Sequence, residues 1–185
     1  MALKEKIILG IDPGTNVMGY GLILCKGSKI SIIQFGVIHL NKYKNHEIKL
    51  KKIYQRVSEI IVEYVPDEVA LEAPFYGKNV QSMLKLGRAQ GVAMAAALNR
   101  EIPISEYAPK KVKQSVTGNG NASKEQVAAM IQNLLKFDDM PKLMDATDAL
   151  AVAVCHHFST KLGGTGAQPS KSWKSFIADN PGRVK

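Results

Sequence analysis

Four acidic side chains in this chain of 185 residues stand inside or at the end of apolar segments. Asp12 and Glu72 each close a short apolar run, and Asp145 and Asp148 lie three residues apart in another. A buried charge is costly unless it is paired or binds a metal. Carboxylate oxygens are the ligands that Mg²⁺ and Mn²⁺ prefer. The four acids therefore predict a cage for Mg²⁺, with Mn²⁺ as the alternative, in which two ions about 3.5–4 Å apart can hydrolyse a phosphodiester.

The net charge indicates which phosphodiester is attacked. Lysine and arginine number 25 against 16 acids, which gives a net charge of +9 and an isoelectric point near 9.5. If four of the acids gather in one pocket, the remaining surface is more basic still. Such a surface is typical of a nucleic-acid partner, although a basic protein without one has the same composition.

Two predicted strands must place the first two acids. Apolar residues dominate positions 6–12 and 68–72, as in buried strands, and helical periodicity marks residues 46–65 between them. A right-handed crossover through that helix would make the two strands parallel neighbours. Because ligand sites of such sheets lie at the carboxyl ends of the strands, Asp12 and Glu72 are expected to lie side by side.

The other two acids are expected to reach the same place from a helix. A helix is predicted over residues 141–158, opening with Pro141 in its first turn. The spacing of Asp145 and Asp148 places both on one face of this helix, near its N-terminus, where the helix dipole favours negative charge.

The remaining pattern predicts an α/β fold with a mixed sheet flanked by helices. Residues 1–160 are expected to form one domain, and residues 161–185 a polar tail. The further predicted strands span residues 18–25, 29–40 and 102–107, and the further helices span residues 79–98, 109–117 and 123–135.

The cysteines and the hydropathy indicate where the protein works. Cys25 and Cys155 are far apart in the sequence, which favours a reducing cytoplasm over a disulfide scaffold. No apolar run approaches the ~20 residues of a membrane span, so no membrane partner is expected. His156 and His157 follow Cys155 directly, but adjacent helical residues point in different directions. We therefore predict the end of a helix at this point, and no metal site.

Five motifs of the chain resemble the RuvC family of bacterial Holliday-junction resolvases. They span residues 8–15 (ILGIDPGT), 71–79 (LEAPFYGKN), 84–87 (LKLG), 112–118 (VKQSVTG) and 145–153 (DATDALAVA). The resemblance implies an RNase H-like fold with a five-stranded sheet and a homodimer. It also implies Mg²⁺-dependent paired nicking of four-way junctions in recombination and repair, alongside the RuvA and RuvB branch-migration complex.

Site residues carry over motif by motif. The resemblance implies that Asp12, Glu72, Asp145 and Asp148 are the catalytic carboxylates. It also places Phe75 near the junction centre, and Lys113 and Lys124 close to the active site.

Residues 75–79 form a loop directly after Glu72, where an exposed aromatic pair can stack on unpaired bases for about 1–3 kcal/mol per base. Burial of Phe75 in the core is the alternative. The predicted DNA-contacting residues are Phe75, Tyr76, Lys78, Asn79, Lys113 and Lys124.

Two surface patterns have less specific interpretations. Gly87, Gly91 and Ala95 recur at four-residue spacing, so this helix packs closely either on its own sheet or on a second copy of the chain. The lysines of residues 42–52 are expected to form a solvated face.

Two other functions stay open. One is that of another RNase H-like nuclease, and the other is that of a non-catalytic junction-binding module. Retention of four acids argues against the second, because negative charge weakens DNA binding.

Overall fold

The computed structural model of the protein describes residues 5–74, 79–137 and 144–163. Within these ranges the chain forms five strands and five helices. The strands are β1 (Glu5–Asp12), β2 (Val17–Lys26), β3 (Lys29–His39), β4 (Glu68–Glu72) and β5 (Ile104–Tyr107). The helices are α1 (His46–Tyr64), α2 (Val80–Leu98), α3 (Pro109–Thr117), α4 (Lys124–Leu135) and α5 (Met144–Gly163).

The strands form one mixed sheet in the order β3-β2-β1-β4-β5. β1, β2 and β3 pair antiparallel, as a meander does, and Gly27 in the β2–β3 turn has the positive φ of 61° that a tight turn requires. β4 and β5 lie parallel to β1 and to each other, with α1 and α2 as the crossovers. The predicted mixed sheet is confirmed, including the parallel pairing of β1 and β4.

Both faces of the sheet are covered, which explains why β1 is apolar almost throughout. Leu9 and Ile11 of β1 pack in a core with α1 and α2. Ile8, on the opposite face, packs in a second core with α3, α4 and α5. A strand buried on both sides loses the alternation of polar and apolar residues that half-exposed strands show.

Helix α5 differs from its prediction at the carboxyl end. It continues through Gly163, past the predicted end at residue 158, so residues 161–163 of the expected tail are helical. The predicted opening at Pro141 and the rest of the tail lie outside the described residues. None of the described helices has both the length and the apolar composition needed to cross a membrane.

The interpretation of the Cys155 segment as a helix end is wrong, because Cys155, His156 and His157 are buried within α5.

Burial and hydrogen bonds from Lys6 and His156 act oppositely on Glu68, and the net effect lowers its pKa. Glu68 is therefore an acceptor, so His156 Nε2 donates to it, while the Tyr107 hydroxyl lies 2.7 Å from His156 Nδ1. Lys6 Nζ completes the chain at 2.6 Å from Glu68. These bonds tie α5 to β1, β4 and β5.

Candidate active site

The carboxyl ends of the two central parallel strands bring the first two acids together. Ile11 of β1 is in register with Leu71 of β4, and Asp12 and Glu72 are the next residues on these strands. Both side chains line one cavity of about 80 Å³. Asp12 and Glu72 therefore lie close together at this edge of the sheet, as expected.

Helix α5 adds the other two acids because it lies unusually close to the sheet. A Cβ at Gly10 would lie 2.1 Å from the carbonyl oxygen of Ala149, and one at Gly19 would lie 1.9 Å from that of Asp145. Gly19 is also the partner of Asp12 in the β1–β2 register. The absence of side chains at these two glycines therefore lets the N-terminal half of α5 approach Asp12.

Three of the carboxylates meet at metal-ligand spacing. Oxygens of Asp12, Asp145 and Asp148 all lie within 4.8 Å of one another, and all three residues are partly buried. Glu72 is not in this close group, but it lines the cavity together with Asp12 and Asp148. A set of carboxylate oxygens is the donor chemistry that hard divalent cations require.

The electrostatics of the site also fit a divalent cation. Burial, followed by the charges of Glu72 and Asp148, raises the pKa of Asp12 from 3.8 to about 8. Burial and the charge of Asp148 likewise raise the pKa of Glu72, against the opposing effect of Lys124 and Lys113. Gathering these charges is therefore unfavourable for the protein alone, and a cation is the natural compensation.

Lys124 lies directly at the acid cluster. Its Nζ lies 2.7 Å from Asp148 Oδ2, and that hydrogen bond raises the pKa of Lys124. The side chain of Asp148 is 16% exposed and that of Lys124 is 59% exposed, so the ammonium group faces solvent as well as the acid. Lys124 opens α4, whose start is set by a capping box between Ser123 and Gln126.

Lys113 lines the same cavity but is tied to the backbone. It lies on α3, and its Nζ donates a 2.8 Å hydrogen bond to the carbonyl of Ala122. This bond joins α3 to the loop that leads into α4. Lys113 thus helps to place Lys124, in addition to adding positive charge at the cavity.

The aromatic loop lies only partly within the described chain. Phe75, Tyr76 and Lys78 are outside the described residues. Asn79 is the N-cap of α2, and its Oδ1 accepts a 3.0 Å hydrogen bond from the backbone N–H of Ser82. A second cavity of about 100 Å³, lined by Asp12, Glu72 and Pro74 among others, lies where the chain enters this loop.

Sequence reasoning missed residues that position the acids without being acids. Gln90 of α2 is buried, and its amide donates to the backbone carbonyl of Glu72 at 3.3 Å and to the Glu106 carboxylate. A polar residue on an otherwise alanine-rich buried face was the available signal. Gly10 and Gly19 had no such signal, because their role depends on how closely α5 packs.

Comparisons with known proteins agree with this geometry. A family model described as "Crossover junction endodeoxyribonuclease RuvC" matches residues 8–156. A relative of that name from Cytophaga hutchinsonii is 64% identical over 181 residues, covering 98% of this chain and 89% of its own. One from Bacteroides fragilis is 60% identical over 186 residues, covering 99% and 98%.

Among solved structures, the T. thermophilus RuvC in complex with a Holliday junction substrate is similar at a TM-score of 0.80 and 31% identity. The match covers 85% of this chain and 96% of that one. The prediction of an RNase H-like α/β fold is therefore confirmed. With the family model spanning most of the chain and close relatives along nearly all of it, the chain belongs to the RuvC family of crossover junction endodeoxyribonucleases.

Proposed function

We propose that this protein is a structure-specific endonuclease that resolves Holliday junctions by paired, symmetric, metal-dependent nicking in homologous recombination and repair. The observation that carries the proposal is the meeting of Asp12, Asp145 and Asp148 within 4.8 Å at a cavity that Glu72 also lines. Acids from two strands and one helix converge there on a protein of net charge +9. Acids that only balanced surface charge would not need to be buried together.

The acids and Lys124 have different roles in the proposed reaction. Asp12, Glu72, Asp145 and Asp148 would hold Mg²⁺, or Mn²⁺, as two ions per site. When bound, such ions activate a water and stabilise the leaving oxygen of the phosphodiester. Lys124, with its half-exposed ammonium group beside Asp148, is placed to hold the scissile phosphate. The buried position of Asp12 keeps its carboxylate desolvated, which strengthens its attraction to a cation.

A cleavage assay on a labelled four-way junction tests this function directly. Adding Mg²⁺ should give two nicks at symmetric positions on opposing strands, with linear duplex left largely intact. An RNA–DNA hybrid serves as a further control, because cutting of its RNA strand would favour a general RNase H-like nuclease. A mobility shift without any cleavage in Mg²⁺ or Mn²⁺ would favour a non-catalytic junction-binding module and contradict the proposal.

Symmetric nicking needs two active sites, and we assign the dimer contact to α2. Gly87, Gly91 and Ala95 do not pack on the protein's own sheet, since a Cβ at Gly87 or Gly91 would have no neighbour within 4 Å. The sheet-facing side of α2 is formed by other residues, among them Ala89 and Ala93. Exposed apolar residues extend the outward stripe at helical spacing, namely Val80, Leu84 and Leu98. Two α2 helices related by a twofold axis would bury, against each other, apolar surface that is otherwise exposed to solvent.

Sedimentation of matched variants tests this contact. Gly91→Glu places a charge in the stripe, whereas Asn133→Glu adds the same charge on an exposed position of α4, on the other face of the sheet. We expect the first to shift the protein to monomers and to uncouple the two nicks, and the second to remain dimeric. A wild-type protein that is monomeric at micromolar concentration, or a Gly91→Glu dimer, would contradict the assignment.

We base two further proposals on family membership. We place the protein in the cytoplasm, where its junction substrate lies and where both of its cysteines, which are buried and free, stay reduced. We also propose that it acts with the RuvA and RuvB branch-migration complex. Co-purification of that complex with the wild-type chain on junction DNA is the corresponding measurement.

A further inference from the structure

A basic groove lies outside the carboxylate site, between the end of β3 and helix α1. Its volume is about 260 Å³, and the residues that give it its chemistry are His39, Lys42, Tyr43, Lys52 and Arg56. None of the described residues that line it is acidic. The lysines of residues 42–52 therefore do not form one uniform solvated face, since two of them converge here with Arg56.

The cations of the groove are only partly neutralised. Lys42 Nζ lies 5.4 Å from the centre of the Tyr43 ring, and Lys52 Nζ donates to the neutral Gln55 amide oxygen at 3.0 Å. Arg56 pairs with Glu59 at 2.6 Å through one guanidinium nitrogen. Three positive charges thus face one carboxylate. The Arg56 guanidinium group also interacts with the Tyr20 side chain, but its five N–H donors exceed what Glu59 and Tyr20 take up.

The sheet register places this groove at the edge where the acids lie. His39 of β3 pairs with Val17 of β2, two residues before Gly19, the partner of Asp12. β3 is two strands from β1, and strands lie about 4.8 Å apart, so the lateral distance is about 10 Å. The two-residue offset adds about 7 Å along the strands, so the groove begins about 12 Å from Asp12. Successive phosphates of one strand are about 3.4 Å apart along the axis of duplex DNA, so this distance corresponds to three to four nucleotides of an arm that lies along it, on the order of 12 Å.

Hydrogen bonds hold both walls of the groove to the loop that follows Asp12. The backbone N–H groups of Leu40 and Asn41 both donate to the carbonyl oxygen of Asn16, at 2.8 and 2.9 Å. From α1, Lys49 Nζ donates to the carbonyl of Thr15 at 2.9 Å and to Asn16 Oδ1 at 3.0 Å. A ligand seated in the groove would therefore be held at a defined distance from the carboxylates.

We propose that Lys42, Lys52 and Arg56 form a second phosphate-binding site, which binds the backbone of a junction arm about three to four nucleotides from the scissile phosphate. This inference rests on the proposed function and adds to it the path of the DNA. The groove reads no bases, because ammonium and guanidinium groups that contact phosphate carry no sequence information. Its role is to fix the register of the strand that enters the carboxylate site.

Two double variants with equal loss of charge test the groove. Lys42→Ala/Lys52→Ala removes groove lysines, and Lys44→Ala/Lys51→Ala removes exposed lysines of the same segment that do not line it. Junction affinity is measured against salt in EDTA. The groove variant should lose about 0.9 of log–log slope per phosphate contact, or about 1.8 per protomer. Between 50 and 200 mM salt, its affinity should then fall less than the wild-type affinity, by about tenfold if one protomer makes these contacts and by about 150-fold if both do. Equal slopes for the two double variants would overturn the proposal.

Ethylation of single phosphates locates the contact. Ethylating phosphates about three to four nucleotides from the cut should weaken wild-type binding, but should have little further effect on the groove variant. An interference pattern identical in the two proteins would also overturn the proposal. Cleavage of the junction by the same wild-type preparation is measured separately, with Mg²⁺ in place of EDTA. Its absence would refute the proposed function, whereas wild-type cleavage with indistinguishable double variants refutes the groove alone.

Discussion

The Lys124 ammonium nitrogen lies 2.7 Å from Asp148 Oδ2, so a carboxylate of the acid cluster is also paired with a side-chain cation. Lys124 and a divalent ion therefore compete for Asp148. We expect Lys124→Ala to lower the Mg²⁺ concentration for half-maximal cleavage, because a repelling charge is removed. The same variant should cleave more slowly at saturating Mg²⁺ and protein, because the scissile phosphate loses a positioning group. Titrating Mg²⁺ in single-turnover assays measures both effects.

Lys124→Arg is the matched control for this prediction, because it keeps the charge. It should restore most of the rate and the wild-type Mg²⁺ requirement. An unchanged rate and Mg²⁺ requirement in Lys124→Ala would place Lys124 outside the working site. For Lys113→Ala we also expect a slower rate at saturating protein, since the bond to Ala122 that helps to place Lys124 is lost.

Neutralising any one of the acids should separate cutting from binding. Asp12→Asn, Glu72→Gln, Asp145→Asn and Asp148→Asn should each abolish cleavage, since ligand charge is needed for the metal. Junction affinity should be retained or increased, since less negative charge faces the DNA. Gel-shift and cleavage assays on one junction measure both. Two or more variants that cut near the wild-type rate would refute the metal cage.

The raised pKa of Asp12 predicts a pH-dependent stability. The folded protein keeps this proton up to about pH 8, whereas the unfolded chain releases it near the ordinary value of 3.8. Between these values the folded state binds more protons, so the free energy of unfolding contributed by Asp12 falls as pH rises. Without added metal, Asp12→Asn should therefore melt several degrees higher than wild type at pH 8, with a smaller difference at pH 5. Thermal melts across this range, with EDTA present, measure the difference.

Added Mg²⁺ should reverse that order. A metal ion must displace the proton of Asp12, so Mg²⁺ should stabilise the wild-type protein more at pH 8 than at pH 6. It should stabilise Asp12→Asn little at either pH. A difference between the two proteins that does not vary with pH would show that Asp12 titrates normally.

The close approach of α5 to β2 predicts a sensitive glycine. In Gly19→Ala, the added Cβ would lie 1.9 Å from the carbonyl oxygen of Asp145, so α5 must shift away from Asp12. We expect a loss of about 1–3 kcal/mol in stability, together with a higher Mg²⁺ requirement. Gly21→Ala is the control, because its Cβ would meet chiefly the Leu150 side chain. If both variants raise the Mg²⁺ requirement equally, the effect is one of general packing.

The aromatic loop stays a prediction, because Phe75 lies outside the described residues. Phe75→Ala should reduce cleavage more than it reduces stability, as loss of a stack on an unpaired base costs about 1–3 kcal/mol. Melting temperature and cleavage rate per folded molecule separate this role from a place in the core. A large fall in melting temperature with normal cleavage would show that the ring is buried.

The sequence by itself determined the elements and the identity of the acids. Apolar runs ending in Asp12 and Glu72, with a helical segment between them, permit only a few chain paths, and the right-handed crossover is the common one. The capping box at Ser123 was readable because its residues are three apart in sequence. Such features depend on local periodicity or on a general rule of connection, which one chain displays.

Tertiary structure decided how the acids meet and what supports them. Gly10 and Gly19 matter only because α5 crosses the sheet at those points, and no local pattern encodes that crossing. The link between Glu68 and His156 joins residues 88 positions apart, and burial changed the apparent helix end at Cys155 into a core segment. Likewise, Lys42, Lys52 and Arg56 converge only once α1 packs beside β3. Contacts between distant segments depend on the packing of whole elements, so they could be established only from the folded chain.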